Sequence, residues 1–377
     1  MTNTRKTLLL IATSLLLALV LAEVGLRTIK SSDMFPTFFD QLGKARAPID
    51  VRDGPGMYYV HPYSAYNLKP GYSKERGERI NNLGFRGEDI SPEKPAGTYR
   101  IVAIGGSTTF AVYQHWSDAY PVYLQKNLQE RLQTDKIEVI NAGLTGSTTA
   151  ESLHRLFYQI LPLDPDMVVI YHGFNDLFPR IFNDYQEDYF HWRRSNTHNP
   201  PGLTRFETYR IALKVLNPVA FSDNYDLTNM VWKTENLPNS DDDRLANFFA
   251  SDSGAFERNL DYMITSLQAR GVQPVLATFA IRPDIVHWND YLPAFAWEEG
   301  IRQNNAAIER VAAARDVPLV PFAEEVADLP KVNLWRGMRR GCCYTDSIHF
   351  SPEGNKIKAG IFTATVAPLV RQGMQPL

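Results

Sequence analysis

The chain has 377 residues, 44% of them hydrophobic and 12% aromatic, with a formal net charge of −3. That composition is ample for one large core and excludes a disordered chain. No long basic stripe is present, which removes the electrostatic basis for nucleic-acid binding, and no period of roughly 20–50 residues repeats, which argues against a solenoid.

Arg5 and Lys6 precede a leucine-rich apolar run from Thr7 to Ala22. A basic head followed by such a run reads as an export signal or a membrane anchor. Val20-Leu21-Ala22 offers a cleavage site. Glu23 interrupts the run, but Val24, Gly25 and Leu26 extend it before Arg27 and Lys30. The reading taken is an uncleaved anchor over residues 1–28, with the remainder outside the cytoplasm. Residues 29–97, rich in Gly, Pro and Tyr, read as an extended lead-in that packs on the main domain. Within it, the glycines of Leu83-Gly84-Phe85-Arg86-Gly87 flank a ring to be buried and a guanidinium to be aimed.

From Tyr99 the pattern alternates between strand and helix. Arg100–Ile104 is the first predicted strand, and it ends in Gly105-Gly106-Ser107. Tyr120, Leu124, Leu128 and Leu132 recur at helical spacing. Ile137–Ile140 is the second strand, ending in Asn141-Ala142-Gly143. A helix through Leu153–Leu161 is stopped by Pro162 and Pro165. Met167–Tyr171 is the third strand, followed by His172-Gly173-Phe174-Asn175-Asp176.

Residues 177–252 break this rhythm and read as an insertion, either a lid or a substrate wall. Its acidic run Asp241-Asp242-Asp243 lacks the spacing of a calcium loop and reads as a solvated loop. Helix Phe256–Leu267, strand Val275–Phe279, helix Ile301–Val311 and strand Leu319–Val320 follow. The stretch Tyr344–Pro352 then leads into a last helix over Gly354–Val370. Five strands alternating with helices predict an α/β fold, a parallel sheet covered on both faces. Cys342 and Cys343 are adjacent, about 3.8 Å apart at Cα, so no disulfide framework is expected.

In such a sheet, ligands bind beyond the carboxyl ends of the strands. Candidates for ester hydrolysis stand at those ends: Ser107 as nucleophile, the Gly143 N–H and the Asn175 amide as oxyanion donors, and Asp346 and His349 at i, i+3 as orienter and base. Ser147 in Gly146-Ser147-Thr148-Thr149 echoes Ser107 but reads as a helix N-cap. His172 reads as a packing residue, and Asp176 as a loop-structuring one. A cysteine mechanism through Cys342 or Cys343 would leave Ser107 without a role. No Gly-x-Ser-x-Gly elbow, phosphate loop, zinc motif or dinucleotide fingerprint occurs, so no cofactor and no metal are expected.

The four blocks Gly105-Gly106-Ser107, Asn141-Ala142-Gly143, Gly173-Phe174-Asn175-Asp176 and Asp346-Ser347-Ile348-His349 resemble the GDSL/SGNH hydrolase superfamily in order and relative position. The resemblance covers residues 98–372 less the insertion. The lead-in resembles that of membrane-anchored bacterial members. It implies a three-layer α-β-α fold on a flavodoxin-like sheet, a Ser107–His349–Asp346 triad, and an oxyanion hole from Ser107, Gly143 and Asn175. Gly106 departs from the family's signature, which has Asp there. The expected activity is hydrolysis of short acyl esters, acetyl by analogy, on an envelope or extracellular glycan. The alternatives are an acyltransferase with the same triad and a non-catalytic glycan-binding scaffold.

Overall fold

The N-terminal apolar run is helical throughout, over Asn3–Ser31. The computed structural model describes residues 3–32, 57–61, 64–74, 77–193, 206–216, 232–282, 291–329, 333–335, 338–340 and 343–375. The chain divides into two compact units, Met1–Pro62 with Ser195–Val231, and Tyr63–Arg194 with Trp232–Leu377.

In the first unit, the segment Arg5–Ser31 is long and apolar enough to cross a membrane. Most of its leucines, Leu8, Leu15 and Leu19 among them, are more than half exposed. Glu23 has a definite task at the end of this run. Its carboxylate accepts the backbone N–H groups of Glu207 and Thr208, each at 3.0 Å, and the Arg27 Nε at 2.8 Å. Those N–H groups open the helix Glu207–Leu216, so a carboxylate from one helix satisfies the orphan donors of another. Lys30 closes the junction on the Glu207 carboxylate at 2.6 Å.

The second unit is built on five parallel strands: β1 (Tyr99–Gly105), β2 (Ile137–Gly143), β3 (Met167–Tyr171), β4 (Gln273–Ala277) and β5 (Leu319–Val320). Their order is β2-β1-β3-β4-β5, the flavodoxin-like order with its switch point between β1 and β3. β1 and β3 are buried at every residue, as a strand covered on both faces must be. The register brings Gly105 level with Gly143 on one side and Tyr171 on the other. Three strand ends therefore meet along one edge, and the chemically active residues follow them.

One face of the sheet packs Val102, Ile104, Val168 and Ile170 against Leu260, Met263 and Ile264 of the helix Gly254–Gln268 and Ile308 of the helix Ala294–Arg315. The helices Tyr120–Leu132 and Pro352–Gly373 cover the other face together, with Tyr120 against Phe362. Each such side chain moved out of water stabilises the fold by roughly 1.5–3 kcal/mol before conformational entropy is subtracted. Lys358 is buried in this layer. Its Nζ lies 3.4 Å from the Tyr171 ring centre and 4.2 Å from that of Tyr120, so aromatic faces take the place of an anion. Burial holds its pKa well below the usual lysine range.

Several boundaries differ from expectation. The strand expected at Val275–Phe279 runs instead over Gln273–Ala277, and Thr278 beyond it donates its N–H to the Val320 carbonyl at 3.1 Å and its hydroxyl to Glu324 at 2.8 Å. The helix expected from Leu153 starts at Thr149, where Thr148 and Glu151 form a capping box. Thr148, not Ser147, is thus the N-cap. Asp241–Asp243 lie in the first turn of a helix, Asp241–Ala250, rather than in a loop. Three carboxylates suit that turn because they face the positive end of the helix dipole, and the Ser240 hydroxyl caps it.

Of the lead-in, residues 33–56 lie outside the described residues. Phe85 belongs to the hydrophobic core and Arg86 is buried. The Arg86 backbone N–H donates to the Asn141 carbonyl at 3.1 Å, just short of the end of β2. Cys343 is in a disulfide, and a bridge between neighbouring cysteines is the rare strained case that the Cα spacing leaves open. The chain's other cysteine is its neighbour Cys342, which lies outside the described residues. A bonded sulfur cannot serve as a thiolate nucleophile.

Candidate active site

Ser107 is the first residue of a four-residue helix, Ser107–Phe110, that leaves the end of β1. Two glycines make this geometry possible. A Cβ on Gly105 would come within 2.6 Å of the Tyr171 carbonyl oxygen, and one on Gly106 within 2.6 Å of the Asn175 Nδ2. With glycine at position 106, the Asn175 amide approaches the strand end where a side chain would push it away.

The structure brings Ser107, His349 and Asp346 together. Ser107 Oγ lies 2.7 Å from His349 Nε2, and His349 Nδ1 lies 2.7 Å from Asp346 Oδ2. All three residues are buried, Ser107 to within 7% exposure. The other Asp346 oxygen, Oδ1, accepts the backbone N–H groups of Ile348 at 2.9 Å and His349 at 2.8 Å. The i, i+3 spacing thus closes a side-chain turn that fixes both ends of the pair. Burial alone would raise the Asp346 pKa. The hydrogen bond and charge of His349, with the two backbone donors, outweigh it and hold the carboxyl below its ordinary range. An ionised carboxylate can only accept, so Nδ1 carries the proton and Nε2 is the free acceptor facing Ser107.

Asn175 opens the short helix Asn175–Ile181 after β3 and donates Nδ2–H to the Ser147 carbonyl at 2.8 Å. It lines one small pocket with Ser107, Gly106, Gly173, Phe279 and Ile348, of about 10 Å³. Gly143 does not fit the role expected of it. Its N–H donates to the Asn141 side-chain oxygen at 2.9 Å. A Cβ there would lie 2.3 Å from the Phe110 nitrogen, so the residue is glycine because the Ser107 helix rests on it. The turn that follows was missed. Gly146 has φ +74°, and its turn is closed by Ser147 N–H to the Leu144 carbonyl at 3.1 Å. The Gly146 N–H donates in none of the described hydrogen bonds. The sequence signal was a second glycine, three residues on, beside the carbonyl that holds Asn175.

The remaining candidates fall behind the site. Ser147 is fully buried and donates to the Leu144 carbonyl at 2.8 Å. His172 Nε2 lies 2.7 Å from Ser152 Oγ, and burial pushes its pKa down to about 4, so it stays neutral. Asp176 binds the Thr149 N–H at 3.0 Å and hydroxyl at 2.5 Å. Burial pushes its pKa up to about 7. Between the unfolded carboxyl's pKa of about 3.9 and that value, the folded state holds the extra proton. Its contribution to stability is therefore greatest at low pH and declines as pH rises through this window. Relative to wild type, Asp176→Asn is expected to gain at least about 1 kcal/mol between pH 5 and pH 8, read as the change in the melting-temperature difference. A pH-independent difference would refute the assignment. Among the described residues, no group of three or more His, Cys, Asp or Glu side chains is placed to hold a metal ion.

A parallel α/β sheet with a serine hydroxyl, an imidazole and a carboxylate hydrogen-bonded in series beyond its strand ends defines a class, the serine-type hydrolases of flavodoxin-like topology. Within it, the chain belongs to the GDSL-like lipase/acylhydrolase family, whose model matches residues 103–357. It is an ester-hydrolysing enzyme. Comparison with curated protein sequences returns no match. Solved structures similar to it include a putative lipolytic G-D-S-L protein from Desulfitobacterium hafniense, 16% identical, covering 71% of this chain and 99% of that one with a TM-score of 0.41. A lipase/acylhydrolase from Enterococcus faecalis is 18% identical, with 72% and 97% covered and a TM-score of 0.42.

Proposed function

We propose that the enzyme hydrolyses short acyl esters, acetyl in the first place, with Ser107 as nucleophile, His349 as general base and Asp346 as its orienter. The observation that carries this reading is the unbroken series of two 2.7 Å contacts from Ser107 Oγ through His349 to Asp346. As Ser107 Oγ bonds to the ester carbonyl carbon, its proton passes to Nε2, and the imidazolium formed faces an ionised carboxylate. The carbonyl oxygen becomes an oxyanion, for which Ser107 N–H, Asn175 Nδ2–H and the Gly146 N–H serve as donors. Gly146 here takes the part first expected of Gly143. As the C–O bond breaks, the proton moves from Nε2 to the departing alkoxide. Water then gives a proton to Nε2, attacks the acyl carbon, and releases the carboxylic acid with Ser107 restored.

Pocket size supports a short acyl group. The pocket lined by Gly173, Phe279 and Ile348 has a cavity volume of about 10 Å³, far below the roughly 300–1,000 Å³ of sites that enclose larger ligands. The Asn3–Ser31 helix serves as an uncleaved anchor, and Arg5 and Lys6, ahead of its apolar run, favour a cytoplasmic N-terminus with the enzyme on the outer side. There it meets its substrate, an acetylated envelope or extracellular glycan.

The test is a series of p-nitrophenyl esters with full-length protein in detergent. kcat/KM is expected to fall at least about tenfold from acetate to octanoate, since the longer chain must leave the pocket or open it. Octanoate cleaved as well as acetate rejects the short-acyl reading. Acyl transfer to an added sugar in preference to free acetate replaces hydrolysis with transfer.

A further inference from the structure

We propose that Tyr113 forms the alcohol-side subsite, a fixed aromatic platform for the sugar ring that carries the scissile ester. The inference rests on the assignment of Ser107 and His349 above and adds what lies on the leaving-group side. Chemistry dictates where that side is. The departing oxygen takes its proton from His349 Nε2, so the alcohol must lie within one hydrogen bond of the imidazole. Whatever ring flanks the imidazole toward solvent is the first surface the alcohol meets. Tyr113 is an exposed ring that flanks the imidazole. Its ring centre is 5.1 Å from that of His349, at 74°, and it is absent from the lining of the acyl pocket.

Exposure sets Tyr113 apart from the other rings near the site. Tyr171, Phe174 and Phe279 are buried, whereas Tyr113 is 57% exposed. An exposed aromatic normally gains little by being ordered, yet this one sits on a braced segment. Ala111, two residues before it, adopts φ +61°, a left-handed conformation that costs a non-glycine residue about 1 kcal/mol. The Val112 N–H donates to the Ser107 carbonyl at 3.3 Å, and the Gln114 N–H to the Ala111 carbonyl at 3.0 Å. Gln114 Nε2 reaches the Phe350 carbonyl at 3.2 Å, next to His349. The Gln114 carbonyl in turn accepts Nη2–H of Arg86 at 2.9 Å, and the Arg86 guanidinium lies 4.2 Å from the Phe110 ring centre. The Gly-Phe-Arg-Gly turn of the lead-in thus braces the segment that presents Tyr113 beside the imidazole.

The surroundings indicate which alcohol suits the ring. A long-chain lipid alcohol needs contiguous apolar surface. In sequence Tyr113 lies between the half-buried Val112 and the run Gln114-His115-Trp116-Ser117-Asp118, in which His115 is exposed and the rest half-buried. One flat apolar face set among polar groups matches a pyranose, whose C–H face stacks while its hydroxyls stay wet.

The experiment measures kcat/KM of the full-length enzyme on an acetylated methyl glucoside and on ethyl acetate, and takes their ratio. Tyr113→Ala is expected to lower that ratio about tenfold, chiefly through KM of the sugar ester, and Tyr113→Phe to preserve it. An unchanged ratio in Tyr113→Ala overturns the subsite. So does a parallel loss on both esters, which assigns the ring to supporting His349 alone. Loss of the ratio in Tyr113→Phe as well places the effect in the phenol hydroxyl and overturns the platform. Failure of the underlying assignment shows separately, as undiminished turnover of both esters by Ser107→Ala.

Discussion

Ser107→Ala is expected to lower kcat on p-nitrophenyl acetate by roughly 10³–10⁶-fold while leaving the melting temperature within a few degrees of wild type. The physical basis is the loss of the one oxygen placed 2.7 Å from the acceptor nitrogen of His349. Alanine keeps the backbone N–H of residue 107 and leaves Asn175 in place, so carbonyl polarisation survives without a nucleophile. That residue of catalysis is why the expected loss is large and not total. A fluorophosphonate should label the wild-type enzyme once, at Ser107, and this variant nowhere. Retention of more than a tenth of the activity would place the nucleophile elsewhere. Ser147 is no ready substitute, since its hydroxyl is buried and already donates to a carbonyl.

Gly143→Ala is expected to be the most damaging single-methyl change in the sheet. The added Cβ would stand 2.3 Å from the Phe110 nitrogen, 2.7 Å from its Cα and 2.8 Å from the Thr109 carbonyl carbon. All three are backbone atoms of the helix that begins at Ser107, so no side-chain rotation relieves the contact. Either the helix lifts off β2 or the strand end moves. Overpacking of this kind costs about 1–3 kcal/mol, more when backbone must shift. A loss of about 3 kcal/mol or more is expected, read as a drop in the denaturant midpoint at unchanged slope. Activity should fall with it, because the Ser107–His349 distance depends on where that helix rests. If the variant proves as stable as wild type and fully active, the close approach is not real. The same variant separates two explanations of the glycine. A donor role through its N–H would survive the methyl group, whereas a packing role would not.

Much of the fold was legible because each segment announces its own period. Met167–Tyr171 and Leu319–Val320 appear with the bounds read from their apolar runs, and Tyr120–Leu132 with those read from its leucine spacing. Such runs can be buried in only one way, between two layers of helices. Expectation failed where the deciding contact came from elsewhere in the chain. Asp241–Asp243, without calcium-loop spacing, read as a solvated loop, yet a helix dipole and a serine cap make them a helix start. Glu23 looked like a defect in an apolar helix until its two partners appeared, 184 and 185 residues away.

The candidate site divides along the same line. Sequence alone determined the chemistry available: a serine after β1, an amide after β3, and an aspartate and histidine three residues apart before the last helix. Those are choices of residue type at strand ends, and they are written locally. Only the tertiary structure decided where the backbone groups after each strand point. It turned the Gly143 N–H onto Asn141, left Gly146 with a left-handed turn and an N–H outside the described hydrogen bonds, and set Tyr113 against His349 across 236 positions of sequence. The reason is that side-chain identity is a property of the chain, whereas the direction of an N–H and the neighbour of a ring depend on how distant segments pack.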